Sequence, residues 1–388
     1  MKFEIYPLGT LCKRVTSGGT PKSTMPEYYG GDIPWLNTKE INFNRIYATE
    51  RCISELGLEN SSAKWITPPA VIVAMYGATA GKVAVSFVPL TTNQACCNME
   101  ILEDKADFRF IYYYLKWKYK ELSLLANGGA QQNLNAQLIK EFPILTPNLT
   151  TQRAISNMLW RIDDKIELNQ KINENLERQA QMLFKFWFVD FAPFGGNVPS
   201  DWKYIDFARF LTPSTIKSDD PSLPMFSVTD NGIFPREEKF KKSLSMANTK
   251  SKVVHQTDLV FGMSREILNW GIMRHPIGGV SSAYNVYQVD ERINSFYLES
   301  YIKANSQYFK DLIKPASREG QGIDKNALMQ KVLLMPPQTV LKQYYAIENA
   351  LTRTADHVLE ENKRLAEIRD TLLPKLMSGE IDLYNIRF

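Results

Sequence analysis

The sequence predicts a mixed α/β protein of the α+β type, with two similar globular domains that are each followed by a long helix. Residues 150–188 contain no Pro or Gly, and their apolar residues recur at alternating steps of three and four. Residues 339–379 have the same spacing. Each stretch follows an apolar segment with proline, at 141–147 and 332–337. This order of elements predicts a two-fold internal repeat with a period of about 190 residues.

The first helix would be about 55–60 Å long, because an α-helix rises about 1.5 Å per residue. An apolar seam of that length needs a partner helix, as in a coiled coil. A shift of 189 residues brings the first seam onto the second, so we expect the partner within the same chain. The predicted seam residues are Ile162, Ile166, Asn173, Leu176 and Leu183 in the first helix, and Leu351, Val358, Asn362, Leu365 and Leu372 in the second.

A matching asparagine falls inside each seam, Asn173 in the first and Asn362 in the second. A buried amide is costly unless it meets a polar partner, and a coiled coil can use one to fix the register of its helices. The alternative is that both side chains face solvent, because the heptads are imperfect. Asn169 lies in the same stripe as Asn173.

The domain boundaries follow from the two helices and from composition. Gly195, Gly196 and Pro199 mark a linker, and Trp202 opens the second domain. Strands are predicted near 70–76 and 82–88 in the first domain and near 257–263 and 283–289 in the second. We therefore assign 1–148 to the first domain, 149–190 to the first long helix, 191–338 to the second domain, and 339–388 to the second long helix with a tail.

The composition is that of a globular protein with a substantial core. The chain has 388 residues, of which 44% are hydrophobic and 23% charged, and its net charge is +4. Both halves share this small excess, so charge alone does not imply a nucleic-acid partner, and any phosphate contact must come from local clusters. The amino terminus lacks the apolar core of a signal peptide, and the four cysteines form no CxxC pair. We expect a cytoplasmic protein without a membrane span.

The motifs typical of catalytic or metal sites are incomplete in this sequence. Gly77–Val83 resembles a P-loop, but one residue is missing between its glycines and Val83 stands where Ser or Thr would hold magnesium. A strand–turn–strand is the better interpretation. The three histidines, His255, His275 and His357, share no short metal spacing.

Two features, an aromatic stripe and a basic cluster, are compatible with binding nucleic acid. The aromatic stripe at 108–125 suits base stacking, although such a stripe is more often core. A basic cluster lies in a polar stretch of the second domain, where the alternative is a solvated face. It comprises Arg236, Lys239, Lys241, Lys242, Lys250 and Lys252. Arginines such as Arg236 and Arg265 can bind guanine edges.

The motifs resemble, in their order, the specificity subunits (HsdS) of Type I restriction–modification systems. The resemblance covers essentially the whole chain. The second domain lacks the Gly-Gly-Thr-Pro and Gly-Asp-Ile-Pro-Trp motifs of the first. The matching residues are Leu8-Gly9, Gly18-Gly19-Thr20-Pro21, Gly31 to Leu36, Gly77 to Lys82, Gly129 to Leu134, and the Pro147, Gln152 and Ile155 entry to the first long helix.

The resemblance implies two target recognition domains separated by long helices that pack as an antiparallel coiled coil. Each domain would recognise one half of a split DNA target. Two modification subunits would bind this chain and carry S-adenosylmethionine, with no cofactor on this chain, and restriction subunits would join them. This chain would be non-catalytic. A coiled-coil scaffold that does not touch DNA and an enzyme with an undetected site remain the alternatives.

Loops that match the family motifs or are rich in glycine and polar residues supply the candidate DNA-binding residues. In the first domain these are Lys22, Lys39, Lys82, Gln131 and Gln132, and in the second they are Arg236, Lys239, Lys242, Arg265, Arg318 and Gln321.

Overall fold

The computed structural model describes residues 3–127, 134–236, 251–264, 266–313 and 322–382. The chain divides into two compact units. The first unit contains residues 1–173 together with 357–388, and the second contains residues 174–356. Seven candidate DNA-binding residues lie outside the described residues: Gln131, Gln132, Lys239, Lys242, Arg265, Arg318 and Gln321.

The first unit is built on a five-stranded sheet in the order β2-β9-β6-β7-β4. A second sheet has the order β5-β3-β8, and β1 pairs with β10. The central strand β6 is buried along its whole length, as its run of small and branched apolar residues predicts. The strands are β1 Glu4–Pro7, β2 Cys12–Ser17, β3 Tyr29–Leu36, β4 Arg45–Ile46, β5 Cys52–Ile53, β6 Ala70–Ala74, β7 Val83–Ser86, β8 Thr91–Thr92, β9 Cys96–Ile101 and β10 Pro143–Thr146.

Helix α2 packs on this sheet and settles the role of the aromatic stripe. Asp107 caps the helix by accepting hydrogen bonds from the amides of Arg109 and Phe110. Tyr112, Tyr113 and their neighbours are buried in the core, so the stripe is not a stacking surface for bases. The shorter helices of the first unit are α1 Glu55–Glu59, α2 Phe108–Trp117, α3 Tyr119–Asn127 and α4 Ala136–Glu141.

The second unit repeats this plan. Its four-stranded sheet β12-β20-β17-β18 has the same connectivity as β2-β9-β6-β7, and β11 pairs with β21 as β1 does with β10. Two smaller sheets, β13-β16-β19 and β14-β15, complete it. Its elements are β11 Lys203–Asp206, β12 Leu211–Ser214, β13 Lys217–Ser218, β14 Phe226–Thr229, β15 Gly232–Pro235, β16 Ser251–His255, β17 Leu259–Phe261, β18 Trp270–Ile272, β19 Ile277–Val280, β20 Asn285–Val289, β21 Val332–Met335, α6 Ser295–Ala304 and α7 Lys325–Met329.

The two long helices are α5, Leu149–Phe188, and α8, Gln338–Met377, of 40 residues each. In the first unit they run antiparallel, since Asp163 pairs with Arg369 while Asn169 pairs with Asn362. The predicted pair of long helices is therefore confirmed. Among the predicted seam residues Asn173 is buried, and Ile162, Ile166, Leu176, Leu183, Leu351, Val358, Asn362, Leu365 and Leu372 are half-buried.

The polar layer in this seam differs in detail from the prediction. The Asn362 side chain accepts a hydrogen bond from Asn169 at 2.9 Å and donates one to the carbonyl of Ile166 at 3.3 Å. Asn173 is only 8% exposed, which excludes the solvent-facing alternative for it. Within the part of the chain that the structure describes, its amide has no hydrogen-bond partner. Both Asn169 and Asn173 lie in the apolar stripe, so spacing alone did not indicate which one meets Asn362.

The second unit has an aromatic core. Phe188 at the end of α5 lies 4.9 Å from the ring of Tyr344 on α8 and 5.0 Å from Tyr297 on α6, measured between centroids. Trp202 packs on the same side chain. No described helix is both long and apolar enough to cross a membrane.

Candidate nucleic-acid interface

The Gly18-Gly19 loop is held tightly against the end of β8. A Cβ atom on Gly18 would lie 2.1 Å from the carbonyl oxygen of Thr92, and one on Gly19 would lie 2.2 Å from the amide nitrogen of Ala63. Only glycine permits this approach. The indole of Trp35 donates a hydrogen bond to the Gly19 carbonyl at 2.9 Å, which fixes the loop further.

Four loops meet at this end of the sheets, at residues 18–22, 37–42, 75–82 and 93–95. We call them the first loop edge. The hydroxyl of Thr20 donates to the side chain of Gln94, and the hydroxyl of Thr79 donates to the carbonyl of Thr38 at 2.9 Å. Backbone hydrogen bonds connect the rest: Asn93 N–H to Leu36 O, and Met75 N–H to Ala95 O. The motifs that are scattered along the sequence therefore form one continuous surface.

The first loop edge contains the three candidate lysines of the first domain that the structure describes. Lys22 is exposed. Lys39 is exposed and pairs with Glu50 at 2.5 Å, and Lys82 donates to the side chain of Asn42 at 2.6 Å. Exposed Gln94 lies on the same surface, and sequence reasoning missed it because no local pattern marks it.

The second unit has an equivalent turn after β17, to which the described residues 262–264 and 266–269 belong. The side-chain hydroxyl of Ser264 accepts from the amide of Asn269 at 2.8 Å, and the Asn269 side chain donates to the carbonyl of Met263 at 2.5 Å. These bonds close the turn. Met263 and Ile267 are exposed at its tip. The position of the turn corresponds to residues 75–82 in the first unit, between the matching strands.

Three lysines lie together near this turn, and we call them the lysine cluster: Lys217, Lys252 and Lys325. Lys217 and Lys252 are opposite each other in the β13–β16 ladder. Burial and the neighbouring charges of Lys325 and Lys217 lower the pKa of the Lys252 ammonium. Lys252 also donates to the carbonyl of Tyr284 at 2.5 Å, next to Asn285, which pairs with Phe261 at the end of β17. A lysine with two further cations beside it near this turn suits an anionic partner.

Of these, the sequence had indicated only Lys252, as part of the basic cluster. Lys217 precedes that cluster, and Lys325 follows it by more than seventy residues, so only the fold brings them together. Arg236 follows β15 and is half-buried, with its amide bonded to the carbonyl of Met225 at 2.9 Å.

Comparison with known proteins agrees with this architecture. Residues 1–178 match the family described as "Type I restriction modification DNA specificity domain". The MjaIX specificity subunit of a Type I restriction enzyme from Methanocaldococcus jannaschii is 28% identical over 95% of this chain and 91% of its own length. The HindI specificity subunit from Haemophilus influenzae is 23% identical over 68% of this chain and 74% of its own.

A solved structure has the same fold. The S subunit of the Type I restriction–modification system from M. genitalium superimposes with a TM-score of 0.59, covering 97% of this chain and 96% of its own, at 18% identity. The fold is thus that of a two-domain S subunit. The family resemblance stated from the sequence is confirmed, because the first 178 residues match this family and a specificity subunit of a Type I restriction enzyme is similar over almost the whole chain.

Proposed function

We propose that this specificity subunit recognises a split, asymmetric sequence in double-stranded DNA, with one half-site bound by each globular domain. The observation that supports this most directly is the repeated position of loops that carry lysines. Each unit presents loops at the same end of an equivalent sheet, with lysines at or beside them. Lysines there would bind phosphates, and the exposed polar side chains between them would contact bases.

The chain itself would carry no catalytic step. It would bind two modification subunits, which hold S-adenosylmethionine and methylate adenine, and restriction subunits would join the same complex. A protein with this substrate and these partners would work in the cytoplasm. We assign Lys22, Lys39, Lys82, Gln131 and Gln132 to the first half-site, and Arg236, Lys239, Lys242, Arg265, Arg318 and Gln321 to the second.

Methylation mapping tests this proposal. DNA from cells that carry the complete system should show one methylated motif with two fixed parts and an unspecified gap of constant length. A chimera whose residues 1–148 come from another member of the family should change one fixed part only. A contiguous motif, or a change in both parts, would contradict the assignment of one half-site to each domain.

The scaffold alternative gives a different result in a gel shift. A scaffold would allow the modification subunits to assemble, but the sequence preference of the complex would not depend on this chain. Exchanging this specificity subunit for another member's, with the modification subunits unchanged, therefore separates the two functions.

A further inference from the structure

Arg45 joins the first domain to the long helix α5. It lies on the short edge strand β4, which pairs with β7. Its side chain is only 11% exposed, and one guanidinium nitrogen contacts Asp164 at 2.5 Å and Glu167 at 3.1 Å. The other nitrogen donates to the carbonyl of Trp160 at 3.2 Å. Arg45 therefore binds three residues within two turns of one helix.

The guanidinium is also stacked. Its carbon lies 3.8 Å from the centroid of the Trp160 ring. That ring is itself inserted among aromatic side chains of the domain, 5.8 Å from Phe87 and 6.0 Å from Phe108. A planar group that is bonded to two carboxylates and a backbone carbonyl and is stacked on an indole has little freedom to rotate. We call this arrangement, Arg45 with Trp160, Asp164 and Glu167, the arginine latch.

We propose that Arg45 is a positioning residue that fixes the rotation of the first domain on α5 and so narrows the range of gap lengths that the protein accepts in its DNA target. This inference rests on the proposed function. It concerns the range of gap lengths that the protein accepts, whereas the loops of each domain determine which bases are recognised in each half-site.

The geometry of DNA explains why rotation matters. One extra base pair in the gap moves the far half-site by about 3.4 Å and turns it by about 35°, since a helical turn takes 10–10.5 base pairs. A recognition domain that is free to turn on its helix could follow part of that rotation. A latched domain cannot, so the mismatch must be absorbed by twisting or bending the DNA, which lowers the affinity.

The test is a gel shift of the full chain with its modification subunits on DNA targets with fixed half-sites and a graded series of gaps. We expect the native chain to show a sharp optimum. For Arg45→Ala the optimum should stay in place, and the preference over a gap longer by one base pair should fall about fivefold, as a coupling of ordinary size within one ion-pair network gives. Arg45→Lys keeps the charge, but an ammonium group cannot make the same planar set of contacts or stack on Trp160. The width of its affinity profile across gap lengths should therefore be intermediate.

Two controls separate positioning from stability. Arg14→Ala removes an ion pair with Glu100 within the domain, at 3.2 Å, and does not touch α5. Ile72→Val weakens the core of the same domain without touching the helix. Both should keep the native width of the gap profile. Asp164→Asn combined with Glu167→Gln removes the latch from the helix side and should broaden the profile even where Arg45→Ala fails to fold.

If the native chain shows an optimum and the latch variants have gap profiles of the same width, this inference is overturned and the proposed function stays intact. A native chain without any preference for one gap would overturn both. Broadening by Arg14→Ala or Ile72→Val to the same extent as by Arg45→Ala would show that loss of stability is responsible, and would also overturn the latch.

Discussion

Asp163 on α5 accepts a hydrogen bond from Arg369 on α8 at 2.7 Å, and its other oxygen accepts one from Tyr113 of the first domain at 2.5 Å. One carboxylate thus joins the domain to both long helices. Burial opposes the charge of Arg369, but hydrogen bonds to Asp370 and Asp163 hold its pKa above the ordinary value. Asp163 and Arg369 are each 16% exposed, so the pair is largely shielded from solvent.

Asp163→Ala should destabilise the first unit by about 2–3 kcal/mol, because it leaves Tyr113 and Arg369 without this acceptor in a buried place. Asp370→Ala removes the other carboxylate that pairs with Arg369. Because Asp370 is 59% exposed, this substitution should lower stability by less than about 1 kcal/mol. Urea unfolding followed by hydrogen exchange would assign the destabilisation to the first unit. Equal effects of the two substitutions would contradict this ranking.

Asn169 and Asn173 of α5 should respond in opposite ways to substitution by leucine. Asn169→Leu removes the donor to the side-chain oxygen of Asn362 and leaves that half-buried oxygen unsatisfied, which should lower stability by about 1–3 kcal/mol. Asn173→Leu replaces a buried amide without a partner among the described residues and should raise the melting temperature. Calorimetry of both variants checks the signs. Destabilisation by Asn173→Leu would indicate that this amide has a partner in solution.

Lys252→Ala should weaken DNA binding evenly across sequences, because a lysine cluster binds phosphates rather than bases. The slope of log affinity against log salt should become shallower by about 0.9 for each phosphate that the variant no longer neutralises. Lys203→Ala is the matched control, since Lys203 is exposed on β11 in a different sheet. A change in the preferred bases with an unchanged salt slope would reassign Lys252 to base recognition.

The arginine latch should loosen at acid pH. Burial alone would raise the pKa of Glu167, but Lys171, Arg45 and Tyr47 together hold it below the ordinary value. The stabilisation from Glu167 is therefore fully present above the ordinary glutamate pKa of about 4.3 and disappears as the pH falls through the lowered value. Unfolding measured between pH 3 and pH 6 should show a smaller acid destabilisation for Glu167→Gln than for the native chain, and equal destabilisation would exclude this contribution.

The long helices should determine the gap in the target. A heptad inserted directly after Asn173 in α5 and another directly before His357 in α8 would leave the contacts of Asn169 with Asn362 and of Asp163 with Arg369 in place. Each insertion adds about 10.5 Å, so the preferred gap should lengthen by about three base pairs. Affinity should fall, because those pairs also rotate the far half-site by about 100°. Gel shifts on DNA targets with a graded series of gaps measure the preferred gap. An optimum that stays at the original gap would contradict the prediction that the length of the helices determines it.

The structure also corrects where such insertions belong. An insertion between Asn362 and Leu365 would keep the apolar seam aligned and leave Asn362 beside Asn169, but it would carry Arg369 away from Asp163. The sequence revealed the helices because a seam of alternating threes and fours requires a partner. It did not reveal the pairing, because Asn169 and Asn173 are one turn apart in the same stripe and satisfy the pattern equally well.

The loops likewise could be predicted from the sequence one by one, but their arrangement in space could not. Their composition identified Lys22 and Lys82 as surface candidates, because glycine and polar residues indicate a turn. Their convergence depends on the strand order β2-β9-β6-β7-β4, which is set by long-range pairing that no local pattern encodes. For this reason the sequence did not indicate Gln94, Lys217 and Lys325 as surface candidates. It also could not decide whether the aromatic stripe of α2 stacks on bases or belongs to the core, which depends on its burial in the fold.

The first unit is assembled from the two ends of the chain. Its core contains Leu373, Leu376 and Met377 of α8 beside Ile155 and Leu159 of α5. All the residues of the second unit lie between these segments. During synthesis on the ribosome, the first domain therefore leaves the tunnel early but waits for the last turns of α8 to cover part of its core. The second unit, which is continuous, is expected to finish folding first.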